Sequence, residues 1–137
     1  IELVRDLIGR THIFVLLDTL EYLRRGGRIG RASAFLGTML RFHPILTVAQ
    51  GVVHPIERVR SRSKGILRLQ AIAEKSGTVE TLAVFSSDDR EGALEVADRL
   101  SGLLDQGTPL VGNLGPVVGA HAGPRAIGVT VITRQPD

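Results

Sequence analysis

Four short apolar runs constrain this chain most: residues 13–17, 81–85, 108–114 and 126–132. Such runs, bounded by charged or turn-forming residues, predict strands. The first is apolar without a break, as expected of a strand covered on both faces. Between the runs the spacing turns helical. Ala93, Val96, Ala97, Leu100, Leu103 and Leu104 give the clearest amphipathic face. Ala32, Phe35, Leu36, Met39 and Leu40 give another, predicting a helix over residues 31–40. A chain that mixes these two periods predicts an α/β architecture of the α+β type. The expectation is a two-layer domain, a mixed sheet of about six strands packed against helices.

The punctuation between elements is equally informative. Gln50-Gly51 separates residues 44–49 from 52–60 and predicts a hairpin. Pro55 demotes its second arm to an edge strand or a bulge. Ser61 or Ser63 is placed to cap the next helix, which is expected to run to about residue 76 and stop at Gly77. Asp18 with Glu21, and Asp88 with Glu91, have the spacing of helix N-cap pairs. The first pair opens a short helix over residues 20–25 that Gly26-Gly27 ends. Residues 113–124 combine three glycines and two prolines with His121. Glycine frees φ and proline fixes it, so this stretch predicts a shaped loop between two strands, with an imidazole at its end. On spacing alone His121 is either a buried histidine tied to a backbone carbonyl or a ligand contact.

Length and charge bound the function. With 137 residues the chain is one domain, residues 1–137, large enough for a real core. No apolar run of 18 residues is present, so no membrane span is expected. There is no signal-like opening, and the first residue sits inside an amphipathic pattern. The expectation is a domain of a longer, cytoplasmic protein. Zero cysteines exclude disulfides and thiolate metal sites. The charge is lopsided: ten of the 17 basic residues fall between Arg24 and Arg68, where Glu57 is the single acid. An arginine-rich segment of this kind favours an anionic partner or ligand. Arg58, Arg60 and Arg62 alternate, so a strand reaching Arg62 would present all three on one face.

The usual catalytic constellations are missing. His12, His43, His54 and His121 show no metal spacing, and there is no nucleophile elbow or paired-carboxylate motif. No catalytic residue, metal site or cofactor is therefore assigned, and an enzyme acting alone is not expected. The turn Gly26-Gly27-Arg28-Ile29-Gly30-Arg31 could hold an anion, but it also suits a plain turn using glycine for positive φ. A basic nucleic-acid-binding module is one alternative. It is disfavoured by the scarcity of aromatic residues to stack bases. An unrecognised enzyme is the other.

Three segments, in order, resemble the DegV family of bacterial fatty acid-binding proteins. They are Leu20-Glu21-Tyr22-Leu23-Arg24-Arg25-Gly26-Gly27-Arg28-Ile29-Gly30, then Pro44-Ile45-Leu46-Thr47 with Val59-Arg60-Ser61-Arg62, then Gly115-Pro116-Val117-Val118-Gly119-Ala120-His121-Ala122-Gly123-Pro124. The resemblance is to the carboxy-terminal domain of a two-domain protein whose amino-terminal domain is missing here. It implies a carrier. A long-chain fatty acid lies between the domains, with its carboxylate held in part by His121 and the backbone around it, Gly119, Ala120 and Gly123. A separate fatty acid kinase converts that carboxylate to an acyl phosphate for phospholipid synthesis, docking on Arg28, Arg60 and Arg62. Nucleic acid is not an implied partner. The acyl chain would find apolar wall at Phe35, Leu36, Met39 and Leu40. Ala122 and Arg125 depart from the family's usual Thr and Gly.

Overall fold

The computed structural model describes residues 1–37 and 41–135. The chain begins with α1 (Glu2–Arg10), β1 (Thr11–Leu16) and the short α2 (Glu21–Arg25). A 3-10 segment, Gly30–Phe35, precedes the hairpin of β2 (His43–Ala49) and β3 (Val52–Val59). Then follow α3 (Arg62–Glu74), β4 (Val79–Ser86), α4 (Arg90–Leu100), β5 (Leu110–Asn113), α5 (Pro116–Ala122) and β6 (Ile127–Thr133). The strands form one six-stranded mixed sheet in the order β3-β2-β1-β6-β4-β5. All pairs are antiparallel except β4 with β5.

Local chemistry explains most boundaries. Gln50 and Gly51 both have positive φ, the conformation that a two-residue hairpin turn requires. β3 lies at the sheet edge, and its pairing with β2 slips between Ile45 and Leu46, opposite Pro55. Proline has no N–H for the ladder, so edge and irregularity coincide there. Ser61 caps α3 by accepting from the Lys64 N–H. The helix expected over residues 31–40 is instead the 3-10 segment, and Met39 and Leu40 lie outside the described residues. The two aspartate caps differ from expectation. Asp18 caps nothing, because Thr19 accepts from the Glu21 N–H at the start of α2. For α4 the cap is Asp89, which accepts from the Gly92 N–H, while Asp88 accepts from the Arg125 N–H.

The two faces of the sheet are treated unequally. Side chains alternate across a strand. Leu16, Ile45, Val84, Ile127, Val129 and Val131 therefore meet α3 and α4 in one dry core, where Leu69, Val96 and Leu100 are almost completely buried. On the other face a smaller cluster holds Leu17, Leu20, Leu23, Ala32, Leu46, Ala122 and Ala126 under α2, α5 and the 3-10 segment. Among the described residues no helix covers the rest of that face.

Candidate functional site

The uncovered part of the second face is an apolar groove of about 340 Å³. Its floor comes from alternate positions of the central strands: Ile13 and Val15 of β1, Gly128 and Thr130 of β6, and Phe85 of β4. The hairpin adds Leu46, Val48 and Val53, and α5 adds Val118, His121 and Ala122. From Leu17 beside α5 to Ile13 the floor runs roughly 13 Å along β1, at 3.3 Å per residue. Val48 is 39% exposed and Val118 is 55% exposed, so the rim is apolar as well. An apolar concavity of this kind, with His121 at one end and Thr130 on the floor, suits an aliphatic ligand.

His121 is held by helix packing. The stretch expected to be a loop folds as α5, with Pro116 in the first turn and Gly123 as its C-cap. Pro116 lacks an N–H, which the first turn of a helix does not need, so a residue read as a breaker serves as a starter. α5 rests on α2. A Cβ at Gly26 would lie 2.2 Å from His121 Nδ1, so only glycine leaves room for the ring. In return the Tyr22 ring sits on Gly123, whose φ of 84° also excludes most side chains. His121 Nδ1 is buried and has no hydrogen-bond partner among the described residues. An unpaired buried polar atom costs about 1–3 kcal/mol, and an imidazole can either donate or accept. Among the described residues no carbonyl holds His121 Nδ1, which packs against Gly26, while another part of the ring borders the groove. Of its neighbours, Gly119 and Ala120 do not line the groove, and Gly123 is covered by Tyr22.

The arginines divide into exposed and committed ones. Arg28 is exposed on the turn after α2 that seats His121, and Arg60 is exposed at the end of β3. The strand stops at Val59, so Arg58, Arg60 and Arg62 do not share a face. Arg58 lies over the Phe35 and Phe42 rings at 5.1 and 5.7 Å. Arg62 begins α3 with a side chain only 13% exposed. It donates to Asp18 at 3.2 Å, to the Arg125 carbonyl at 2.7 Å, and to Asp89. The Arg125 guanidinium also reaches Asp18, at 3.7 Å, and His43 Nδ1 lies 3.2 Å from the same carboxylate. The His43 contact lacks hydrogen-bond alignment, since that nitrogen counts as unpartnered; it is proximity rather than a bond. Asp18 is thus the centre of an ionic cluster that spacing alone had assigned to a cap. The Asp89 carboxyl is held below the ordinary carboxylate range, first by the Gly92 N–H and then by Arg62, against the opposing effect of burial.

The Gly26-to-Arg31 turn is a turn. The Gly27 and Arg28 N–H groups return to the Arg24 and Leu23 carbonyls, and Gly27 and Gly30 have positive φ, which leaves these donors spent. Phe35 and Leu36 do not line the apolar groove. They border a separate cleft of about 520 Å³ together with Asp18, Glu21, Arg41 and His43, whose mixed polarity does not suit an acyl chain. The residues that do form the wall, Val15, Val48 and Phe85, were missed. One signal was available: β1 is apolar on both faces, which requires a cover for each. Among the described residues no cluster of histidine and carboxylate side chains has the make-up of a metal site, and no helix is long and apolar enough to cross a membrane.

Comparison with known proteins gives a consistent picture. The family described as "Uncharacterised protein, DegV family" matches residues 1–134. A DegV domain-containing protein of Streptomyces coelicolor is 42% identical over 130 residues, covering 90% of this chain and 45% of that protein. The solved structure of a fatty-acid-binding DegV family protein of Thermus thermophilus matches with a TM-score of 0.75 and 32% identity, over 90% of this chain and 46% of that one. A stearic acid-binding protein of Eubacterium ventriosum matches with a TM-score of 0.80 and 26% identity, over 95% and 47%. The chain spans about half the length of the curated relatives it matches.

Proposed function

Because the chain belongs to the DegV family, we propose that it is the carboxy-terminal half of a fatty acid carrier. The observation that carries this reading is the open apolar groove that ends at His121. The acyl chain lies along the sheet face that no helix covers, and an amino-terminal half of the same protein closes the groove from above. The carboxylate reaches the α5 end. A carboxylate at the mouth of an apolar site needs hydrogen bonds or a charge partner, and His121 supplies one. Gly119, Ala120 and Gly123 act by shaping and seating the helix end that holds the imidazole. The protein binds and presents; it is not itself an enzyme.

The presented carboxylate is consumed by a partner. A fatty acid kinase transfers the γ-phosphoryl group of ATP to a carboxylate oxygen, giving an acyl phosphate and ADP, in the cytoplasm. Arg28 and Arg60 form the docking surface, since both are exposed and Arg28 belongs to the turn that seats His121. Arg62 contributes indirectly, by fixing the start of α3 beside Arg60. A nucleic-acid role has less support here than in the bare charge pattern, because Arg58 and Arg62 are already engaged.

Native mass spectrometry of the full-length protein, purified from bacteria, tests the reading. A co-purified mass matching a fatty acid is the expected result. An empty protein that also fails to take up added fatty acid would overturn it.

A further inference from the structure

Gly128 is the second residue of β6, a strand paired on both sides. Glycine weakens a central strand, because it costs backbone entropy and packs nothing. Gly128 has no structural need to be glycine. Its φ is not in the left-handed region, and a Cβ there would meet only the Phe14 carbonyl oxygen, at 3.9 Å. Its neighbours Ile127 and Val129 are fully buried under the helices, so position 128 faces the groove. There it lies level with Val15 of β1 and Phe85 of β4. The Phe85 ring leans the other way, over Gly112 of β5, whose Cβ would come within 3.0 Å of it. No side chain therefore comes within 4 Å of where a Cβ at position 128 would stand.

We propose that Gly128 is a specificity-determining position of the groove: its missing side chain keeps open the channel through which the acyl chain passes, and the Phe85 ring is that channel's wall. This rests on the fatty acid carrier reading. A strand glycine without a backbone reason marks a place where another molecule approaches closely.

The test uses the full-length protein loaded from a mixture of saturated and cis-unsaturated fatty acids of graded length. Bound species are read by native mass spectrometry, and melting is followed in parallel. Gly128→Val is expected to keep or raise the melting temperature, since a β-branched residue suits a strand. It should lose bound fatty acid by about tenfold or more, as overfilling of a packed site does. Gly128→Ala should still bind, with its profile shifted to shorter or straighter chains, and Phe85→Leu should shift it toward bulkier ones. A folded Gly128→Val protein carrying the wild-type species in wild-type amount would overturn the inference while leaving the carrier reading intact. If Gly128→Val does not fold, an unchanged profile in Gly128→Ala overturns it instead. A wild type that binds no fatty acid removes the carrier reading and this inference with it.

Discussion

The two faces of the sheet are built from the same residue types and serve opposite ends. Under α3 and α4, Leu69, Val96 and Leu100 meet Leu16, Val84 and Val129 with essentially no exposed surface. Across the sheet, Ile13, Val15 and Phe85 are equally apolar but face a groove. Burying a large aliphatic or aromatic side chain is worth about 1.5–3 kcal/mol, so the first face stabilises the fold. The second leaves part of its apolar surface exposed, and the worth of that part is realised only when something covers it. An apolar concavity of this kind suits a binding site.

Substitutions on the two faces should therefore separate stability from binding. Leu69→Ala opens a cavity in a closed core and is expected to cost about 2–5 kcal/mol in urea unfolding. Val15→Ala should cost well under 1 kcal/mol in the unliganded protein, because the site is already open, yet weaken fatty acid uptake. Equal stability losses at the two positions would erase the distinction between the faces.

The arginines offer a second contrast of moderate size. Arg62→Ala removes hydrogen bonds to Asp18, Asp89 and the Arg125 carbonyl. It is expected to cost about 2 kcal/mol, as the loss of charged hydrogen bonds does. Arg60→Ala, on the exposed end of β3, should stay within about 0.5 kcal/mol. Its effect should instead fall on the rate of phosphorylation by the kinase and on that rate's salt dependence. Urea midpoints and single-turnover rates for both variants check this. A destabilised Arg60→Ala with normal phosphorylation would reverse the assignment.

The smallest expected effect is in acid. Asp89 titrates below the ordinary carboxylate range in the fold. A depressed carboxyl stabilises the folded protein above its unfolded pKa, and that contribution is lost as pH falls through the folded value. Asp89→Asn should therefore lose about 1 kcal/mol at neutral pH and show a shallower decline than wild type below about pH 4. Parallel decline of the two proteins would show that Asp89 is not a contributor.

How much of this was legible in the sequence depended on the range of the interactions. The hairpin, the edge position of β3 and the Ser61 cap are set by neighbours a few residues away, and Gln50-Gly51, Pro55 and Ser61 announced them. Asp18 was misread because its spacing to Glu21 is a local signal, whereas its partners Arg62 and Arg125 are brought to it only by the fold. Residues 113–124 were read as a loop because glycine and proline disfavour helix locally. Packing on α2 compensates, with Gly26 receiving His121 and Gly123 receiving Tyr22. His121 itself was singled out from its glycine setting. The groove it borders was not, since side chains from five strands and helices meet there only in three dimensions.

Fatty acid binding as proposed requires His121 to belong to the groove rather than to the core. Fatty acid titration of the full-length protein and its His121→Ala variant, with thermal melts of both unliganded forms, tests that directly. Loss of a charge-assisted hydrogen bond of about 1.5–3 kcal/mol predicts roughly 10- to 150-fold weaker binding, with the melting temperature nearly unchanged. A melting temperature lower by several degrees with affinity intact would contradict the account and return His121 to the core.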